Sequence, residues 1–385
     1  MIRFYVLITS FLIGFLVLPI LIKFLRKIQF GDIPGGRKIH KEITPSMGGI
    51  GILFSFFVSL TIWGIVGGSI SEIWFLVAGV VIIFFVGLSD DIVDLRAYYK
   101  LIGQLIAAFF VVVQGDMRIT SFYGFLGVDL LPDYFSYTFS IFVLLAASNA
   151  FNLIDGVDGL AGTVSAIALT FLGVWFSMQG LEAYALLSFA LVGSTLAFLI
   201  YNWQPAQIFM GDTGALTLGF AIGVLVIAFF KSNEVVVNPN VGKFNSPFTM
   251  GMALMIYPLF DTVRIFVRRI VKGNHPMKAD KGHIHHFLLR SGMSHQKVTL
   301  VISTVQLALV VLGIALSALE DNWSLTILIG LVLIFGGVVE QFTIHQMRKR
   351  VLAAPRIVTK KVKGLIPTKK ILEEQSVFSS KMNSN

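Results

Sequence analysis

The chain has 385 residues, of which 56% are hydrophobic and only 13% charged, with a mean hydropathy of +0.83 and a formal charge of +9. Soluble globular proteins carry about a quarter of their residues as charges, so this composition excludes that class and identifies an integral membrane protein. Cysteine is absent, which excludes disulfides and thiolate metal sites and leaves oxygen and imidazole as the ligands for any metal.

Apolar runs fall at residues 4–25, 48–68, 73–88, 101–113, 135–147, 160–178, 184–200, 215–230, 250–267, 298–319 and 323–342. They predict an all-α polytopic helical bundle of eleven transmembrane spans. Several runs fall short of the ~20 residues that cross a bilayer, the fourth and fifth most of all, so ten spans is the alternative count. In the first run the positive charges Lys23, Arg26 and Lys27 follow the apolar core, and no small-x-small cleavage site precedes them. It therefore reads as an uncleaved helix with its N-terminus outside. Basic residues test that topology, because they accumulate on the cytoplasmic side. Of the 30 Lys and Arg, only Arg3, Arg118, Lys231 and Lys243 fall on one face, and the other 26 fall on the opposite one. This placement fits an N-outside, C-cytoplasmic orientation and makes nucleic acid an unneeded explanation of the net charge. Residues 1–347 read as the membrane domain and residues 348–385 as a basic, flexible cytoplasmic tail suited at most to anionic lipid.

In this topology every carboxylate cluster lands on the cytoplasmic face. The third run ends in Asp90-Asp91-x-x-Asp94, where helical spacing puts Asp90 and Asp94 on one face. The fifth ends in Asn149-x-x-Asn152-x-x-Asp155-Gly156-x-Asp158-Gly159, polar at every third residue, which gathers those side chains on one side of a helical segment. Asn202 and Phe209-Met210-Gly211-Asp212-x-Gly214 follow the seventh run, with Asp212 in the N-cap position of the eighth span. After the ninth come Asp261, Arg264, Arg268 and Arg269, then His283-Ile284-His285-His286. Taken singly, each has a plain structural reading: Asp212 as a cap, Asp94 as an i,i+4 support, and the Gly219/Gly223 pair as helix packing. His40, His275, His295 and His345 read as ordinary interfacial residues. His283 and His286 can share a face, yet a zinc site lacks a clear third ligand. Four polar loops on one membrane face are together a reaction chamber.

Asp and Asn oxygens favour a hard ion such as Mg²⁺, which binds one or two carboxylates plus substrate phosphates. Arg37, Lys38, Lys41, Arg264, Arg268 and Lys281 on the same face suit a diphosphate. The sequence has no P-loop and no dinucleotide fingerprint, so side chains and loop backbone would have to hold a nucleotide.

These four ordered motifs, with Pro45-Ser46-Met47-Gly48-Gly49 ahead of the second span, resemble the polyprenyl-phosphate N-acetylhexosamine-1-phosphate transferases from about Arg37 to His286. The resemblance implies transfer of a sugar-1-phosphate from a UDP-sugar donor to undecaprenyl phosphate in the bacterial plasma membrane, with release of UMP. It implies Mg²⁺ as cofactor, with Mn²⁺ able to substitute. Asp212 would be a metal ligand together with Asn152, which also meets the diphosphate. Asp90 would be the acid–base residue at the lipid phosphate, supported by Asp91. Asp155 and Asp158 would order the nucleotide end, Phe209 would stack on uracil, and Asn202 would contact the nucleoside. His283, in the catalytic set, and His285 and His286 would meet the donor's phosphate or sugar, with Lys41 and Arg264 as further substrate contacts. Direct in-line attack is favoured over a two-step route through an enzyme-bound phosphosugar, which stays open. A homodimer is compatible with this reading.

The interrupted histidine motif is closer to the GlcNAc-1-phosphate transferases that begin O-antigen, common antigen or teichoic acid synthesis, which makes UDP-GlcNAc the expected donor. The alternative is the phospho-N-acetylmuramoyl-pentapeptide transferase of peptidoglycan synthesis, whose members usually carry an unbroken histidine triplet. A prenyltransferase would leave the histidine loop and Phe209 without work. A transporter would place its carboxylates nearer the bilayer midplane.

Overall fold

The computed structural model describes residues 1–31, 44–67, 73–235, 243–273 and 282–353. Twelve helices run through them: α1 (Ile2–Lys27), α2 (Gly48–Gly67), α3 (Trp74–Val93), α4 (Ala97–Phe109), α5 (Asp133–Ile154), α6 (Leu160–Met178), α7 (Glu182–Asn202), α8 (Gly211–Glu234), α9 (Pro247–Val271), α10 (Ile284–Arg290), α11 (His295–Ala315) and α12 (Asp321–Ala353). All but the short α10 are long and apolar enough to cross a membrane, α4 by continuing through a π-type turn, Phe110–Gln114. The eleven-span reading therefore holds. The helices outrun the apolar runs because their last turns carry polar residues: α5 reaches Ile154 by including Asn149 and Asn152. Met1–Thr343 form one compact unit, and of the second, which begins at Ile344, only the final turns of α12 are described.

The bundle is organised around α8, which is buried along its whole apolar length. It packs against α3, α5, α2, α6 and α9. In a membrane the apolar surroundings give no hydrophobic drive for helices to associate, so close packing of small residues supplies it. Gly219 lies against Ala147, Ser148 and Phe151 of α5, and Gly223 lies against Leu144 and Ala147, which is the helix packing expected of that pair. Hydroxyls add bonds between helices: Ser148 donates to Leu216 O at 2.9 Å, Ser10 to Ala190 O at 2.6 Å and Ser59 to Val6 O at 2.7 Å. A satellite core of Ala253, Ile256, Leu309, Leu325, Leu328 and Val332 joins α9, α11 and α12.

Among the described residues the only β pairings are two isolated bridges. One matters for the site. Ser46 pairs in parallel with Phe209, with Phe209 N–H donating to Pro45 O and Gly48 N–H to Phe209 O, both at 2.8 Å. The bridge ties the start of α2 to the start of α8.

Candidate active site

A helix begins with N–H groups that have no partner within it, and its dipole makes that end attractive to anions. In α8 those groups are satisfied by carboxylates from elsewhere in the chain. Asp91 Oδ1 accepts from Asp212 N–H at 2.8 Å, while its Oδ2 accepts from Thr213 N–H at 3.0 Å and from the Thr213 hydroxyl at 2.5 Å. The Asp155 carboxyl lies near the Gly211 N–H. This corrects the placement of Asp212 as a cap. Gly211, at φ +73°, starts the helix, so Asp212 is already its second residue and its carboxylate turns away from the backbone it was expected to cap. A side chain at 211 would also meet the Asp91 carboxylate at 2.6 Å.

That turn places Asp212 at the centre of the cluster. Its Oδ1 accepts from Asn152 Nδ2 at 2.7 Å, and its Oδ2 is ion-paired with Lys100. Lys100 also lies 3.2 Å from Asp90 Oδ2, and Asp90 Oδ1 accepts from Leu95 N–H at 3.1 Å. Asp90, Asp212, Asn152 and Lys100 thus converge from α3, α8, α5 and α4. Lys100 was counted only as a topological charge, and the signal was a cation in the first turn of a membrane span. Asp94 does not share the face of Asp90: it closes α3 in a left-handed conformation, φ 51°, and is exposed. Asn149 is also removed from the cluster, because its amide pairs with buried Gln104 at 2.6 Å.

The polar stretch after Asn152 is a turn rather than a helix face, since α5 stops at Ile154 and Gly159, at φ +77°, is the N-cap of α6. Asp155 is half-buried, and burial, reinforced by the Asp212, Asp91 and Asp158 charges, pushes its carboxyl well above the usual carboxylate range. Asp158 pairs with His295 at 3.1 Å, and its carbonyl accepts from the Thr299 hydroxyl at 2.7 Å. His295 is therefore more than an interfacial residue. Asn202, expected at the nucleoside, is buried, accepts from Gly159 N–H at 2.7 Å and donates to Ile208 O at 2.8 Å. Both ends of its amide hold this turn to the segment ahead of α8, which makes it a brace for the site. Phe209 is half-buried beside the Ser46 bridge. Lys41, Arg37, Lys38 and Lys281 lie outside the described residues.

The histidine loop hangs from α9. Asp261, fully buried, has Oδ2 at 3.0 Å from His283 Nδ1, and its Oδ1 accepts from Ile284 N–H at 3.0 Å and from Arg264 Nη2 at 3.2 Å. Arg264 Nη2 also donates to Gly282 O at 2.6 Å, so the guanidinium expected at a substrate phosphate is engaged with its own loop. The three imidazoles form a group, His283 stacked on His285 at 5.4 Å and His285 tilted against His286 at 4.4 Å. His285 packs over Gly156, which joins this loop to the α5–α6 turn. Burial pulls the His285 imidazole down to about 3. It outweighs the pull of Asp261, and the neighbouring His286, His283 and His295 add to it.

This has a consequence for stability. The unfolded chain takes up a proton at His285 near pH 6.5, whereas the folded protein refuses it until about pH 3. Its contribution is therefore fully present above pH 6.5 and declines on acidification, by up to about 1.4 kcal/mol per pH unit. Thermal unfolding in detergent from pH 7.5 to 5.5 should show a falling melting temperature that His285→Gln flattens. Equal slopes in the two proteins would contradict the assignment.

The residues fit a hard divalent ion. Asp212, Asp90 and the Asn152 amide offer oxygen donors, and the cluster already holds a cation, the Lys100 ammonium, between two carboxylates. Among the described residues no three His, Asp or Glu form a ready-made cage. Mg²⁺ commonly needs only one or two carboxylates, with substrate phosphates and water completing its shell.

A family model described as glycosyl transferase family 4 matches residues 73–230, the span that holds Asp90, Asn152 and Asp212. A Bacillus subtilis (strain 168) protein named probable undecaprenyl-phosphate N-acetylglucosaminyl 1-phosphate transferase is 32% identical over 342 residues, 87% of this chain and 90% of that protein. An Escherichia coli (strain K12) undecaprenyl-phosphate alpha-N-acetylglucosaminyl 1-phosphate transferase is 28% identical, over 80% of this chain and 82% of that protein. A Listeria welshimeri phospho-N-acetylmuramoyl-pentapeptide-transferase is 30% identical, over 77% and 93% respectively. Similarity along most of both chains means that the chain belongs to glycosyl transferase family 4, the polyprenyl-phosphate N-acetylhexosamine-1-phosphate transferases.

Proposed function

We propose that the protein transfers N-acetylglucosamine-1-phosphate from UDP-GlcNAc to undecaprenyl phosphate at the cytoplasmic face of a bacterial plasma membrane and releases UMP, as the first membrane step of a cell-envelope polysaccharide. The observation that carries this reading is the convergence of Asp90, Lys100, Asn152 and Asp212 at the N-terminus of the most buried helix. The reaction joins two anions, so it needs positive charge placed where they meet.

In the proposed step a lipid phosphate oxygen attacks the β-phosphorus of the donor. The bond from that phosphorus to the bridging oxygen breaks, and the electron pair leaves with UMP. The nucleophile needs little activation, because a phosphate monoester is largely ionised at neutral pH. Asp90, held by Lys100 and the Leu95 N–H, orients that phosphate or takes its remaining proton. Lys100 offsets repulsion between the two substrates. Asp212 and Asn152 would hold Mg²⁺, which as a Lewis acid supplies stabilisation of the charge developing on the leaving group. Asp155 and Asp158 fix the turn beside the donor, and the histidine loop closes the other side.

For the donor sugar, two relatives named as N-acetylglucosaminyl transferases support UDP-GlcNAc. The interrupted histidine motif supports it too: Ile284 is fully buried, where a fourth imidazole would cost desolvation. Purified protein with undecaprenyl phosphate, Mg²⁺ and a panel of UDP-sugars tests both levels. UMP release with UDP-GlcNAc is expected. Release with UDP-N-acetylmuramoyl-pentapeptide alone would overturn the donor assignment, and release with no donor would overturn the reaction.

A further inference from the structure

We propose that Asp261 is the positioning residue of this reaction, fixing His283 as the tautomer with its proton on Nδ1 and leaving Nε2 as the nitrogen for the substrate; the inference rests on the transferase reading above. A carboxylate only accepts hydrogen bonds. With Asp261 Oδ2 at 3.0 Å, His283 Nδ1 must carry hydrogen, and the other nitrogen of the neutral ring is then the acceptor.

Everything around Asp261 keeps it in that role. It is fully buried in α9, and its second oxygen is engaged by the Ile284 N–H and by Arg264, so the carboxylate cannot rotate away without breaking both contacts. Arg264 in turn grips Gly282 O, the residue before His283. Residues 282–284 are thus held at three consecutive positions by two side chains one turn apart on α9. The stacked ring of His285 limits tilt of the His283 plane. Tyr257, one turn earlier on α9, is buried with its hydroxyl unpartnered among the described residues, so it does not compete for Asp261 as a donor.

Asp261→Asn separates positioning from folding. The asparagine oxygen still accepts from Ile284 N–H, but its amide donates towards Nδ1 and drives His283 to the opposite tautomer. UMP release should fall about 100-fold in kcat, within the range of a lost acid–base or orienting group, with the donor KM changed less than about threefold. His283→Gln should lose a similar amount, and the double variant no more than the worse single one. Nitrogen-15 shifts of histidine-labelled protein, assigned with His283→Gln, should show Nδ1–H in the wild type and Nε2–H in Asp261→Asn. Full additivity, a wild-type Nε2–H tautomer, or a variant that loses melting temperature but keeps kcat would overturn the proposal. An inactive wild type with the Nδ1–H tautomer would overturn the transferase reading and uphold the Asp261–His283 assignment.

Discussion

Asp212→Ala is expected to lower UMP release at least about a thousandfold, which corresponds to roughly 4 kcal/mol of lost transition-state stabilisation, while the melting temperature stays within a few degrees of the wild type. The carboxylate joins two partners from different helices, the Asn152 amide and the Lys100 ammonium, and supports no backbone group. Its removal also thins a crowd of acids, since Asp90, Asp91 and Asp155 all lie at the same helix end. In the proposed reaction the substitution removes a carboxylate that would hold a cation against substrate phosphates. Lys100 keeps Asp90 as its counter-charge, so the fold survives. Turnover above a tenth of the wild type across a Mg²⁺ titration would show that the metal assignment is wrong.

Asp91→Ala is expected to fail differently. Asp91 accepts two N–H groups and one hydroxyl from the first turn of α8, all in partly buried surroundings. Deleting the carboxylate leaves donors without partners, each at a cost of about 1–3 kcal/mol, so a total loss of roughly 2–4 kcal/mol is expected after water replaces part of the cap. The turn that carries Asp212 loosens with it, and turnover should drop more than about 100-fold even where the protein stays folded, because misplacing a reacting group by about 1 Å is that costly. Melting temperature and UMP release measured together check this. A variant as stable as the wild type would refute the capping role, and one that is destabilised yet fully active would refute the link from cap to site.

The contrast between these two aspartates shows what can be read from a chain without its fold. Eleven spans were legible because bilayer thickness imposes a minimum apolar length, and the order of the polar loops followed from alternating passes. Asp90, Asn152 and Asp212 were legible as a group because acids and amides are costly at a membrane unless they have work to do. Their individual tasks were not, because those depend on contacts across long stretches of chain. Asp91 caps a helix 121 residues later, and Asn202 closes onto Gly159 from 43 residues away. Local capping rules see neither. Lys100 and Asp261 each read as a single charge at a span end until the fold supplied Asp212 to one and His283 to the other. Arg264 looked like a phosphate clamp because its carbonyl partner, Gly282, has no signature in sequence.

In the proposed reaction the phosphorus of the donor moves with its sugar. UDP-GlcNAc labelled with phosphorus-32 in the β-phosphate, incubated with the purified protein, undecaprenyl phosphate and Mg²⁺, separates this reaction from ordinary sugar transfer in one extraction. Label is expected in the lipid phase, in step with unlabelled UMP in the aqueous phase. Label remaining in aqueous UDP while sugar enters the lipid, or no lipid product at all, would contradict it.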